Sequence, residues 1–93
     1  MNKKKLYKAR IKIDQIDRNI FILIKKRTAL VKYMLSLKQL KNQIVDHKRI
    51  NLILKNIKKK SLQHNIDPKI TTRIWKSIIW SYVNYQRRNF RKK

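Results

Sequence analysis

The chain has 93 residues, so it forms at most one domain and buries only a modest core unless a second chain adds to it. It contains no Gly and a single Pro, although the turns of sheet proteins draw heavily on both residues, so we expect a few long helices joined by short loops. The absence of Cys excludes disulfides, thiol catalysis and cysteine metal sites.

Charge is the most unusual feature of the composition. Lys and Arg total 27 against 4 acidic residues, all of them Asp, and the formal net charge is +23. Such a balance is typical of proteins that bind nucleic acid or an anionic membrane. Codon usage offers another explanation, because Lys, Ile and Asn all have A/T-rich codons and an A/T-rich genome would favour them without any function for the charge. Composition alone leaves both explanations open.

The N-terminal segment resembles the basic start of a signal peptide but lacks the apolar run that should follow it. Lys3, Lys4 and Lys5 are basic, but the nearest apolar run covers residues 20–24. That run is too short for a signal sequence and far too short to span a bilayer. We therefore expect a cytoplasmic protein without a membrane partner.

The first predicted helix runs from about Lys4 to Leu40 without a helix breaker. Its apolar residues recur at steps of three and four, as in the seam along which two helices pack. A helix of this length extends about 50 Å, which is more than a single chain of this size can cover, so we expect it to pack along its copy in a second chain. The seam consists of Ile13, Ile16, Ile20, Leu23, Leu30, Met34 and Leu37.

A second helix is predicted after a connection over residues 41–45. Asp46 has the side chain of an N-cap, and the helix extends from about His47 to His64. Apolar residues at helical spacing predict the face that it buries. These residues are Ile50, Ile53, Leu54, Ile57 and Leu62.

The third helix has the strongest start signal, since Asp67 and Pro68 combine an N-cap with Pro at the first helical position. It extends to about Arg88, and the basic segments 1–5 and 87–93 are expected to be frayed tails of a single helical domain. Two adjacent faces are candidates for burial. One consists of Ile70, Ile74, Ile78, Ser81 and Tyr85, the other of Trp75, Ile79, Tyr82 and Gln86.

Arg27 interrupts the apolar seam of the first helix. A guanidinium is costly there unless it is paired, and acidic partners are scarce, so an anionic ligand would account for it. Lys38 follows eleven residues later and projects from nearly the same face, about 16 Å along the axis. Two such cations are suited to hold a compact dianion. The alternative is that Arg27 extends its head group out of the seam into water.

Other polar side chains fit the same site. Arg10 lies about 100° round the helix from Arg27, so it would reach the pocket of a partner in an antiparallel dimer; otherwise it is a surface residue. Arg49 can lie over the pocket expected for the dianion. Tyr82 and Gln86 share one side of the third helix, and the alternative explanation for this pair is ordinary helix packing. Cations and an amide exchange protons poorly, but they bind a dianion and stabilise developing negative charge.

The ordered set of these residues resembles the all-helical class of chorismate mutase. No single element is specific, but the order and spacing extend over residues 6–86. The resemblance implies an all-α, intertwined homodimer of three-helix chains with two equivalent active sites. The matching positions are Arg10, Ile13–Asp17, Arg27, Lys38, Asp46–Arg49, Ile66–Pro68, Ile78–Ile79 and Gln86.

The resemblance also implies the chemistry. Arg10 of the partner subunit and Arg27 would hold the two carboxylates of chorismate, and Lys38 and Gln86 would donate hydrogen bonds to its ether oxygen. The enzyme would rearrange chorismate to prephenate, the shikimate-pathway step towards Phe and Tyr, with no cofactor and no metal. It would hold the reactive conformer and stabilise charge on the breaking C–O bond.

Around the substrate ring, the resemblance implies that Asp46 approaches the hydroxyl and that Arg49 adds positive potential. Two substrate-binding positions depart from the family pattern, which usually has Glu at Ile50 and a carboxylate-binding Ser at Tyr82. Both residues resemble those of the isochorismate pyruvate-lyases, a sister family of the same fold that forms salicylate. A chain with no Glu can have lost this one through compositional bias, so we expect the mutase. The lyase is one alternative, and a basic helical nucleic-acid-binding protein is the alternative from another class.

Overall fold

The computed structural model describes residues 2–91 of the chain. Three α-helices and one short 3₁₀ helix follow one another without a strand in this range. In order they are α1 (Lys3–Leu37), the 3₁₀ helix (Lys41–Gln43), α2 (His47–Gln63) and α3 (Pro68–Asn89). The predicted all-α class and the order of three helices, with the longest first, are confirmed.

The end of α1 differs from the prediction. The helix stops at Leu37 rather than near Leu40, because the side chain of Gln43 takes over as hydrogen-bond acceptor. Its Oε1 accepts the backbone N–H groups of Gln39 and Leu40, each at 2.8 Å. These two bonds turn the chain and replace the helical bonds that a longer α1 would make.

The segments predicted as basic tails are helical over residues 3–5 and 87–89, whereas Phe90 and Arg91 follow the end of α3. Residues 3–5 already belong to α1, whose first turn is capped by a hydrogen bond from the Lys5 backbone N–H to Asn2 Oδ1 at 3.0 Å. At the other end, α3 continues through residues 87–89, and the Asn89 side chain donates to the Tyr85 carbonyl at 2.8 Å. Met1, Lys92 and Lys93 lie outside the described residues.

The contacts within the chain group its residues into two units, Met1–Tyr33 and Met34–Lys93. The first unit consists almost entirely of α1. The apolar seam predicted along it is exposed, with Leu23 62% and Leu30 63% accessible to solvent. A regular apolar stripe that its own chain leaves exposed is typical of a surface that meets another molecule.

The second unit contains a hydrophobic core, in which α2 packs against α3. On α2, the predicted face that includes Ile50 turns inward, although Leu62 is exposed. On α3, the face with Ile79 is buried, whereas Ile70 and Ile74 of the other candidate face are exposed. The buried cluster consists of Ile44, Ile50, Ile79 and Val83, with Leu35, Val45, Ile53, Leu54 and Phe90 packed against it.

The sequence signals for the starts of α2 and α3 are confirmed. The Asp46 carboxylate accepts the backbone N–H of Arg49 at 3.0 Å, and the Asp67 carboxylate accepts that of Lys69 at 2.9 Å. Each bond satisfies a backbone donor that the first turn of a helix leaves unpaired. Between the two helices, Asn65 has φ 57°, a left-handed conformation that Asn tolerates better than most residues and that helps to end α2.

Candidate active site

A hydrogen bond joins two of the predicted catalytic residues. Lys38 Nζ donates to Gln86 Oε1 over 2.7 Å, although the residues are 48 positions apart. Lys38 follows the end of α1, where its backbone N–H still bonds to the Leu35 carbonyl at 3.1 Å. Gln86 lies near the end of α3 and is only 7% exposed. Because the amide oxygen accepts from Lys38, the two N–H donors of the Gln86 amide point elsewhere.

The electrostatics of Lys38 connect it with a third predicted residue. Partial burial lowers the pKa of the Lys38 ammonium below its ordinary value of 10.5, and the negative charge of Asp46 raises this pKa again in partial compensation. Burial lowers the pKa of a cation because it removes the water that stabilises the charged form. Lys38, Asp46 and Gln86 therefore form one interacting group, which we call the Lys38 cluster.

The start of α2 brings two more predicted residues next to Asp46 in the chain. Arg49 is exposed, and its backbone N–H bonds to the Asp46 carboxylate. Ile50 is buried in the core with Ile79 and Val83. At this position, where the resemblance leads to an expectation of Glu, the chain thus has an apolar side chain that packs in the core. A carboxylate in the same environment would need a polar partner.

Tyr82 lies one turn before Gln86 on α3, as its sequence spacing predicts, and its side chain is half-buried. The predicted inner face of α3 thus has a buried amide and a partly buried phenol at successive turns. Like the hydroxyl of a Ser, the phenol can both donate and accept a hydrogen bond. The Tyr side chain is much longer, so its oxygen lies farther from the helix backbone.

Arg10 and Arg27 both lie on α1 in the first unit, and both are exposed. The seam in which Arg27 occurs is itself exposed within the chain, so the desolvation cost predicted for this guanidinium would arise only where another molecule covers α1. The structure brings together Lys38, Asp46 and Gln86. The assignment of Arg10 and Arg27 to the site stays a prediction.

A cavity of about 300 Å³ lies near the loop that joins α2 and α3. None of the predicted site residues lines it. Along α3, Trp75 is eleven residues from Gln86, about 16 Å by helix rise. The lining includes Ile57, Ser61, His64, Thr71 and Trp75.

The hydroxyl groups in this cavity are hydrogen-bonded within the protein. Ser61 Oγ donates to the Ile57 carbonyl at 2.6 Å, so Thr71 Oγ1, at 2.6 Å from Ser61 Oγ, is the donor in the bond between the two side chains. The pair links α2 to α3 and was not predicted from the sequence. A single Ser and a single Thr on different helices produce no periodic signal, so only the folded arrangement reveals their contact.

Two further observations bear on function. Within residues 2–91, no group of three or more His, Cys, Asp or Glu side chains is placed to hold a metal ion. In the same range, none of the helices has both the length and the apolar character that a membrane-spanning segment needs.

The fold and the site together define an all-α protein in which a partly desolvated lysine and a buried amide meet beside a helix N-terminus. Comparison with protein families gives a finer result, since the family described as chorismate mutase type II matches residues 9–87. The chain belongs to this family. The matched range includes every residue that the sequence predicts for the site. Neither the curated proteins nor the solved structures provide a match to the chain.

Proposed function

We propose that this protein is a chorismate mutase that rearranges chorismate to prephenate. The observation that supports it most directly is the 2.7 Å hydrogen bond from Lys38 to Gln86, in a chain that belongs to the family. The reaction breaks one C–O bond and forms one C–C bond within the same molecule. It therefore needs no proton acceptor, oxidant or covalent intermediate, and a site of fixed donors is sufficient.

Lys38 and Gln86 would act on the ether oxygen, where negative charge develops as the C–O bond breaks. The ammonium of Lys38 supplies the charge, and the amide N–H of Gln86 supplies a second hydrogen bond. Gln86 thus has two roles, because its oxygen holds Lys38 in place while its nitrogen faces the substrate. Donors that are already oriented and partly desolvated stabilise a transition state better than donors that must reorganise.

The carboxylates of the substrate require further cations. Arg27 and Arg10 of the partner subunit are proposed to hold them, because a guanidinium presents a planar pair of donors that matches a carboxylate. Arg49 would add positive potential, and Asp46 would approach the ring hydroxyl with the carboxylate edge that its capping bond leaves available.

The same proposal includes a homodimer. The exposed seam of α1, with Leu23 and Leu30 more than 60% accessible, is the surface that a second copy would cover. Because Arg10 would enter the site from the other chain, dissociation would remove a substrate ligand as well as a packing surface. Sedimentation over a concentration series should show a dimer at micromolar protein, with activity per chain and thermal stability both falling on dilution. A folded monomer with full activity would contradict this part of the proposal.

The isochorismate pyruvate-lyase alternative depends on Ile50 and Tyr82. Ile50 packs in the hydrophobic core and offers no hydrogen bond to a ring hydroxyl, which is the feature that favours this alternative. The same fold and the same cations would serve the lyase. The two activities differ in their substrate and in their products, so they can be separated directly.

Purified protein should convert chorismate to prephenate in the presence of a chelator, and the Lys38→Met variant should lose most of this rate. Isochorismate should give neither salicylate nor pyruvate above the rate without enzyme. Salicylate and pyruvate from isochorismate, with no turnover of chorismate, would instead support the lyase. Absence of both activities in a folded dimer would remove both proposals.

A further inference from the structure

One side of α3 carries a row of cations that the proposed active site does not use. Lys69, Arg73, Lys76 and Arg87 are all exposed, and at 100° per residue they lie within about 60° of one another round the helix. The row covers about 27 Å along the axis. Gln86 and Tyr82, the predicted site residues of this helix, lie about 100° and 140° away from Lys69, so the row and the proposed site occupy different sides of α3. We call these four residues the basic row.

The basic row has no compensating charge on its own helix. No Asp or Glu occurs between Pro68 and Asn89. Lys69 and Arg73 are four residues apart, and Arg73 and Lys76 are three apart, which are the spacings at which like charges on a helix repel one another. A bound polyanion would relieve this repulsion along the whole row.

An aromatic side chain lies within the same row. Trp80 lies between Lys76 and Arg87 in the sequence and about 20° from Lys69 round the helix, so it falls within the sector of the row, and it is 38% exposed. The other tryptophan, Trp75, is half-buried on the inner side of the helix. An accessible indole among cations offers both a stacking surface for a planar ring and a contact for a cation over its face.

We propose that the basic row binds single-stranded nucleic acid without sequence preference, with phosphates on Lys69, Arg73 and Lys76 and a base stacked on Trp80. A charged track with an aromatic platform is the combination by which proteins bind single strands of any sequence. An acidic protein would match the charge, but it would not explain the exposed indole within the row. This binding is independent of the proposed catalysis.

The test must separate the basic row from the charge of the whole chain, because any protein with net charge +23 binds polyanions to some extent. The row variant carries Lys69→Gln, Arg73→Gln and Lys76→Gln. The control variant carries three changes on an exposed face of α2 that contains no aromatic residue, and it loses the same charge. Gln is a good helix former, so both variants should fold, which circular dichroism will verify. The control changes are Lys48→Gln, Lys55→Gln and Lys59→Gln.

Affinity for labelled oligothymidylate of about 12 nucleotides is measured by anisotropy over a range of salt concentrations. Loss of three phosphate contacts should reduce the slope of log affinity against log salt by about 2 in the row variant. The control variant should keep nearly the slope of the parent. Equal changes in the two variants, or polyglutamate competing as well as the oligonucleotide, would overturn the proposal.

The role of the indole has its own measurement. Trp75→Phe leaves Trp80 as the one tryptophan of the chain, so its emission reports on this side of α3 alone. Oligothymidylate should quench that emission, and Trp80→Leu should weaken binding about 5- to 150-fold, the range for loss of one stacked base. If the Trp80→Leu variant does not fold, the quenching of Trp80 emission in the Trp75→Phe variant still tests whether a base stacks on Trp80. Emission that does not respond to saturating oligonucleotide would contradict the proposed stacking.

Discussion

Lys38 Nζ and Gln86 Oε1 lie 2.7 Å apart, and this bond joins the end of α1 to the end of α3 within the second unit. The bond fixes the position of an ammonium that burial has already partly stripped of water. It also fixes the orientation of the amide, since only the oxygen can accept from Lys38. A cation and an N–H donor are therefore held ready before any substrate binds, and this preorganisation leads to the first prediction.

Lys38→Met and Gln86→Met should each lower the rate of chorismate rearrangement about 100- to 1000-fold. This is the usual effect of removing one donor to a developing negative charge. Both replacements keep an unbranched stem, so the packing changes little. The double variant should lose less than the product of the two single losses, because Gln86 also acts by holding Lys38. Single-turnover rates of the four proteins provide the comparison. Lys41→Met, an exposed cation of the 3₁₀ helix, is the control and should keep the parent rate. Strictly additive losses would show that the hydrogen bond has no catalytic importance.

If Lys38 acts in its charged form, as the proposed function requires, the rate of chorismate turnover should fall in alkaline solution. Burial lowers the pKa of Lys38, so the fall should occur below the ordinary lysine value of 10.5. Asp46→Asn removes the charge that raises this pKa and should move the fall to still lower pH. Asn is a comparable N-cap, so α2 should persist. Profiles of kcat/KM against pH test this, with Asp67→Asn at the N-cap of α3 as the control that leaves the profile in place.

The same pKa shift should change stability and rate in opposite directions as the pH rises. A lowered pKa in the folded chain means that the unfolded chain binds protons more strongly over this range. The contribution of Lys38 to the free energy of unfolding should therefore rise with pH where the rate falls. Parallel loss of rate and stability at alkaline pH would show that unfolding, and not the titration of Lys38, causes the fall.

Much of the fold could be predicted from the sequence because its signals are local. Asp46 and the Asp67–Pro68 pair start α2 and α3 where predicted, since an N-cap acts within its own first turn. The end of α1 was missed because a Gln side chain, an ordinary surface residue in the pattern, becomes a backbone acceptor. Two apolar faces of α3 matched the helical period, and only packing against α2 selects the one with Ile79.

The candidate site was predictable in part for a different reason. Lys38 and Gln86 were candidates from the residue pattern, the family resemblance gave them roles and added Asp46, and the structure brings the three together as one group. Hydrophobic periodicity alone gives no reason to connect residues 48 positions apart. Periodicity did place Ile50 on the buried face of α2, but it could not show that Ile50 packs with Ile79 and Val83 of α3, because that contact depends on how the two helices meet.

The hydroxyl pair of Ser61 and Thr71 leads to a prediction about stability. Ser61→Ala removes the acceptor of the Thr71 hydroxyl, whose other acceptor, the Pro68 carbonyl, is 3.5 Å away. Ser61 is buried, so this change should lower the free energy of unfolding by about 1–3 kcal/mol. Adding Thr71→Val should restore most of the loss, because it removes the partly buried Thr71 hydroxyl that Ser61→Ala leaves without its near acceptor. Urea titrations measure both effects. Turnover should be unchanged in both variants, and a large loss of rate would mean that this end of the α2–α3 pair takes part in the reaction.

The last prediction concerns Arg27. If this residue holds a substrate carboxylate, Arg27→Ala removes a charge-assisted contact and should cost about 2–4 kcal/mol of transition-state stabilisation, roughly 30- to 1000-fold in kcat/KM. Arg27→Lys keeps the charge but loses the planar fork, so it should remain substantially defective. Both variants should fold, because Arg27 is exposed on α1 and Ala and Lys are good helix formers.

Arg18→Ala is the matched control, since Arg18 is a second exposed arginine of α1 outside the proposed site. Its rate and melting temperature should stay close to those of the parent. If Arg27 only extends its head group into water, Arg27→Ala should behave like Arg18→Ala in both measurements. An equal response of the two variants would remove Arg27 from the site. The loss of a carboxylate ligand would then be hard to reconcile with a dianionic substrate, because Arg10 of the partner subunit would be the one guanidinium still assigned to its carboxylates.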